Sequence, residues 1–241
     1  DLHYPLRRQR QMCIRDRGKT DPITNKPQRW KNMARIALGQ SKMVSRPIAG
    51  LLHIIVYVGF IIINIELIEI VIDGVLGTHR IFSSIGFLYG VLIGLFEIFA
   101  VFVLIAVIIF WIRRNILKIK RFFENKMMGW PKLDADLILY FEVFLMSMFL
   151  QMNGADNIIQ KNFPDNLQYV KAGFFPVSQY ISLLLDGLSL EKLVFIERTA
   201  WWLHIIGIFI FLNYLYFSKH LHIILAFPNT FFSNLNTKGR F

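Results

Sequence analysis

The sequence predicts an all-α membrane protein of about four transmembrane helices, on three observations. Of its 241 residues, 55% are hydrophobic and only 18% charged, and the mean hydropathy is +0.47, outside the usual range of soluble globular domains. Four apolar stretches approach or exceed the roughly 20 residues that cross about 30 Å of hydrocarbon. The basic excess, 27 Lys and Arg against 16 acidic residues, is sorted between alternate loops. That sorting fits a bilayer with one basic side better than a nucleic-acid interface. The apolar runs are continuous and lack the alternation of barrel strands, which leaves helices to satisfy the backbone in lipid.

The opening DLHYPLRRQRQMCIRDRG, residues 1–18, has no periodicity and reads as translated sequencing-adapter sequence. Setting it aside removes five Arg and two Asp, so the net charge falls from +11 to +8. It also removes Cys13, the single cysteine, so disulfide scaffolds and four-Cys zinc or iron–sulfur sites are excluded. Residues 19–46 form a basic segment with seven Lys and Arg. The first span follows, from about Ile48 to Ile72, and the second runs from about Ile85 to Ile112. In the second, Gly86, Gly90 and Gly94 lie on one helix face and admit a neighbouring helix or a flat cofactor.

Residues 113–133 hold seven more basic residues, and the stretch Arg113 to Phe123 mixes charge with apolar residues in a pattern suited to anionic headgroups or to an acidic redox partner. The third span, Leu137 to Met152, is short and carries Glu142. A long loop, 153–198, contains a segment from Val177 to Leu185, bounded by Pro176 and Gly187, that reads as a short surface helix. The fourth span runs from Thr199 to Phe217 and continues towards Phe227. Seventeen basic residues fall on one side and five on the other, which predicts cytoplasmic termini. The last residues, 233–241, read as the start of a truncated cytoplasmic region.

Histidines are costly in lipid and tend to face a bundle interior or a cofactor. His53 lies in the first span and His204 in the fourth, and His222 follows His204 by 18 residues. On one continuous helix that spacing returns to the same face, roughly 27 Å further along the axis. His220 would point about 160° away from His204, so His222 is the interior member of the KHLH pair. Two imidazoles on facing helices suit the iron of a haem, whereas zinc wants a tighter cluster.

The segments GLLHIIVYVGF, WWLHIIGIFIF and SKHLHIILAFPNTFF resemble the membrane domain of nitrate reductase gamma subunits and of the cytochrome b subunits of heterodisulfide-reductase-like complexes, over residues 47–232. More narrowly, the chain is similar to bacterial fusion proteins in which this domain precedes a cytoplasmic iron–sulfur half. The resemblance implies a haem-binding bundle in the bacterial inner membrane. Its cofactor would be bis-His haem b, its substrate a quinol (menaquinol), and its partner an iron–sulfur module in cis or in trans. The family pattern puts two ligands ten residues apart on an early helix and two 18 apart on the last. His204 and His222 match the last pair and His53 matches the first early ligand, but Ile63 stands where the fourth belongs. Either one haem is held by His53 and His222, or His79 folds back to complete a second site with His204. A structural histidine at the interface is the alternative for His79.

Glu66 and Glu69, towards the other end of the first span, are candidates to take protons from a quinol, with His79 or Tyr89 beside them. Asp73 reads as interfacial and solvated, and Glu97 and Glu142 as groups paired inside the bundle. No nucleotide loop, nucleophile elbow or HExxH motif is present. The expectation is electron transfer between a membrane quinol and a cytoplasmic iron–sulfur oxidoreductase through haem b, with lipid as the surrounding partner and no nucleic acid. A haem-free anchor tethering that reductase is the alternative, with a small transporter behind it.

Overall fold

The computed structural model describes residues 24–41, 47–117, 129–165, 169, 171–233 and 235. The expectations for residues 1–18, for 118–123 of the basic stretch and for 236–241 lie outside the described residues. Within them every regular element is helical. The chain divides into two compact units, Gln40–Leu225 and a smaller one drawn from Asp1–Gly39 and Ala226–Phe241.

In the smaller unit α1 (Lys26–Met33) carries Pro27 in its first turn, where the missing N–H costs nothing, and runs on into a π-helical turn, Ala34–Leu38. Arg29 donates from Nη1 to the carbonyls of Phe231 and Ser233, both at 3.0 Å. Trp30 meets Phe231 edge-on at 5.2 Å.

The larger unit is built on α2 (Pro47–Leu76), α3 (Phe87–Asn115), α4 (Trp130–Asn162) and α6 (Leu190–Leu215), with the short α5 (Ser178–Ser182) between the last two. Three of these, α2, α3 and α6, are long and apolar enough to cross a membrane by length and composition. Their outward positions, such as Ile65, Ile68, Phe102, Ile105, Phe209 and Ile210, leave large apolar side chains exposed. A soluble domain hides such rows, and a lipid-facing surface requires them.

The helix α4 has 33 residues, about 50 Å, and gathers its polar side chains at its two ends around the stretch 137–152. It lies along the full length of α3. Near its start, the carbonyl of Lys132 accepts from Arg114 Nη2 (2.7 Å), and Arg114 also pairs with Asp136. Near its end, Asp156 pairs with Arg80, just ahead of α3. Arg114, expected at the headgroups, is therefore buried and joins helix ends instead.

The core links α3, α4 and α6 through Ile93, Phe96, Val103, Leu145, Phe149, Ala200 and Ile205. A Cβ on Gly207 would stand 2.8 Å from Leu145 Cδ2, so α6 approaches α4 closely there.

Three expectations need correction. At Gly90 and Gly94 the glycine face of α3 receives the long loop rather than a helix: Phe174 lies against Gly90, where a Cβ would stand 2.9 Å from its ring. The short helix is Ser178–Ser182, and its serines are buried, with Ser178 Oγ donating to the Leu150 carbonyl (3.1 Å) and Ser182 Oγ to that of Gly154 (2.8 Å). It is therefore fastened to α4 along one face. The fourth span is not continuous either. It ends at Leu215, a 3-10 turn covers Lys219–Leu221, and α7 (His222–Phe231) starts anew. Ser218 is extended (φ −92°, ψ 158°) and caps the turn by accepting from the His220 N–H, while Asp134 accepts from the Lys219 N–H at 3.0 Å and from the Tyr214 hydroxyl at 2.6 Å. These acceptors take amides that a continuing helix would bind, so the break is a stable feature.

Candidate functional site

Two groups of polar side chains lie inside the larger unit. At the end where Arg114, Pro131 and Lys219 meet, a cavity of about 170 Å³ is bordered by His53, His220, His222 and the rings of Tyr57, Phe60, Phe110 and Phe211. The break after α6 explains why both histidines of KHLH reach it: the turn swings His220 onto Phe211 (6.0 Å), and the His220 and His222 rings meet edge-to-face at 5.6 Å. The 160° argument assumed an unbroken helix and so missed His220; Ser218 ahead of KHLH is the local signal of a cap.

His222 Nδ1 lies 2.8 Å from the Lys219 carbonyl, which only an N–H can satisfy, so in the neutral ring the proton sits on Nδ1 and Nε2 keeps its lone pair. His53 Nδ1 is buried without a partner.

A second cavity, of about 250 Å³, adjoins the first and shares Val56, Phe60, Glu142, Phe211 and Ile223 with it. Side by side the two reach the range of ordinary cofactor pockets, about 300–1,000 Å³. His204 lines the second one, anchored by Nδ1 to the Leu145 carbonyl at 2.9 Å, so that its Nε2 is also unprotonated. Ile63 and Asn64 are in the same wall, and no second imidazole is. Glu142 borders both cavities and forms no hydrogen bond with a described residue, contrary to the expected pairing.

The second group surrounds Arg80 at the opposite end. Arg80 is buried, with φ +54°, and donates from Nε to Asp156 (2.6 Å), from Nη1 to the Tyr89 hydroxyl (3.1 Å) and from Nη2 to Asn153 (3.0 Å), while its guanidinium lies 5.2 Å from the Phe175 ring. Burial alone would pull its pKa down, but Asp156 and Tyr89 outweigh it and hold the group well above the usual arginine value. Glu69 accepts from the Phe82 N–H (2.9 Å) and the Tyr89 hydroxyl (2.8 Å). Glu97 accepts from the Asn153 amide (3.2 Å) and from the N–H groups of Val177 and Ser178 (2.9 and 3.0 Å), so its expected pairing is met largely by the loop. Asp73 is not merely solvated: it accepts from Thr78 Oγ1 and from the N–H groups of Arg80 and Ile81, holding the turn that aims Arg80 inward.

His79 belongs to this second group. Its Nε2 is 3.6 Å from Asp156 and its ring lies 4.7 Å from Tyr169. Burial pushes its pKa below the usual value, against the opposing pull of Asp156. Its anchor, Asp156, is eleven residues beyond Leu145 on α4, or about 16 Å along the axis. The structure therefore does not bring His79 to His204. Among the described residues no group of three His, Cys, Asp or Glu side chains is placed to hold a metal ion.

Comparison with known proteins gives one informative match. Over 211 residues, 88% of this chain, the sequence is 28% identical to the "Probable iron-sulfur-binding oxidoreductase FadF" of Bacillus subtilis (strain 168). The aligned part is 27% of that protein, so the chain spans about a quarter of the length of the relative it matches. No family model matches the sequence, and no solved structure matches it. The chain is thus similar to part of an iron–sulfur-binding oxidoreductase, and its own helices include three apolar enough to cross a membrane.

Proposed function

We propose that this chain is the membrane part of an oxidoreductase, a domain of four spans in the bacterial inner membrane with both termini cytoplasmic. It passes electrons between a quinol, menaquinol by resemblance, and a cytoplasmic iron–sulfur module through haem b. The observation that carries the reading is the meeting of His53 and His222 at one apolar, aromatic-lined cavity. The donor set fits an iron porphyrin: His53, with a ring nitrogen that has no partner among the described residues, and His222, held from behind by the Lys219 carbonyl, would be the residues that hold it. When bound, the haem would supply a one-electron iron couple. The chain's own residues do the rest. Asp134 and Ser218 hold the turn that delivers His222, and Phe60, Phe110 and Phe211 exclude water from the cavity.

The surroundings of His204 support the one-haem form, because Ile63 and Asn64, with no second imidazole, line its cavity and His79 is anchored elsewhere. The likeness to an iron–sulfur-binding oxidoreductase about three times as long supports an iron–sulfur partner, whether in the same polypeptide or separate. Glu66, Glu69 and Tyr89 remain the groups nearest the opposite end that suit proton exchange with a quinol. The test is a reduced-minus-oxidised spectrum of the purified protein expressed with ample haem. A low-spin b-type spectrum at one haem per chain is expected, lost or turned high-spin by His53→Ala or His222→Ala. Purification without haem under those conditions overturns the reading and leaves the haem-free anchor, which the substitution of Ile63 for a ligand already favours.

A further inference from the structure

The polar group around Arg80 holds more acid than its cation balances. Four buried carboxyl groups, Glu66, Glu69, Glu97 and Asp156, surround one buried guanidinium. Ionised carboxylates are tolerated in such surroundings only where a cation or several donors compensate their lost hydration. Three of the four are compensated. Asp156 has Arg80 at 2.6 Å, Glu97 accepts two backbone N–H groups and an amide, and Glu69 accepts a backbone N–H and a tyrosine hydroxyl. Glu66 differs. It is 3% exposed, and its Oε2 is buried with no hydrogen-bond partner among the described residues. The charged and titratable groups facing it are Arg80 from the loop, Glu69 from its own helix and Glu97 from α3, so two acids and one already engaged cation act on it. An ionised carboxylate so buried has nothing at Oε2 to replace its lost hydration, and binding a proton removes the charge that burial penalises.

We propose that Glu66 is a proton-binding site: at neutral pH it is a neutral carboxylic acid inside the bundle. The inference goes beyond electron transfer and needs neither haem nor quinol. Its consequence is that the membrane domain stores one proton at the end opposite the histidine cavity.

Infrared spectroscopy of the purified protein at neutral pH, in water and in deuterium oxide, tests it. A carbonyl band of a protonated carboxylic acid that shifts on deuteration is expected, diminished in Glu66→Gln and restored in Glu66→Asp. Glu142→Gln removes the other unpartnered acid, and the band should survive that change. A band equally strong in Glu66→Gln overturns the proposal. Should that variant fail to assemble, the other two proteins decide: no such band in the wild type, or its complete loss in Glu142→Gln, also overturns it, while its persistence in Glu142→Gln supports it. None of these outcomes depends on haem content, so this test and that of the electron-transfer reading fail separately.

Discussion

Arg80 shows how one side chain organises an end of the bundle. Its three donor directions are used on three different residues, and two of these, Asn153 and Asp156, sit one helical turn apart on α4. Arg80 is the one Lys or Arg between positions 73 and 84, and nothing local in the sequence marks it as buried. Removing it leaves Asp156, 1% exposed, without its guanidinium and with only the Gln160 amide and the more distant His79 among the described residues. Arg80→Leu is expected to destabilise the protein by about 3–5 kcal/mol, measured as a drop in apparent melting temperature in detergent. Arg80→Lys should recover only part of this, since an ammonium lacks the planar fork that reaches Tyr89, Asn153 and Asp156 together. Unchanged melting in Arg80→Leu would show that the network contributes no net stability.

At the scale of elements, close packing rather than charge joins the apolar helices. Gly59 on α2 faces Val103 on α3, and a Cβ there would stand 2.6 Å from a Val103 methyl. Val103 is 2% exposed and β-branched, so it has little room to turn away. Gly59→Ala is therefore expected to cost about 1–3 kcal/mol through overpacking, read as a lowered apparent melting temperature. Adding Val103→Ala should return most of the loss, because the two changes share one contact. Equal effects of Gly59→Ala with and without the second change would place the strain elsewhere. The break between α6 and α7 belongs to the same scale. The apolar character of residues 199–227 suggests one helix, and Asp134, some 80 residues earlier in the chain, joins Ser218 in supplying the acceptors that stop it at Leu215.

For the whole molecule, the question is whether α4 crosses the membrane as α2, α3 and α6 are able to. It runs beside α3 from the Arg114 end to the Arg80 end, and the proposal of four spans expects it to cross with α3. Cysteines introduced at Leu117 and Lys171 lie before and after α4. In a Cys13→Ser background, an impermeant thiol reagent applied to intact cells should label Lys171→Cys and leave Leu117→Cys unlabelled until the membrane is opened. Labelling of both from the same side would remove α4 from the spans, and the reverse pattern would invert the orientation drawn from the 17 to 5 basic asymmetry.

What the sequence by itself determined is the helical, apolar character of the chain, the places of its long helices and the histidine and carboxylate candidates. Those features rest on local composition and on the need of a backbone in lipid to satisfy its own hydrogen bonds. Which candidates share a site was decided only by the tertiary structure. His220 joins His53 and His222 because a cap from Ser218 and an acceptor from Asp134 break the helix between His204 and His222. His79 is drawn to Asp156 and away from His204, the glycine face of α3 is filled by Phe174, and Glu66 Oε2 is left without a partner among the described residues while the neighbouring acids have theirs. Each of these outcomes depends on partners distant in the chain, and the free energy of a buried polar group is set by such partners rather than by the residues beside it in sequence.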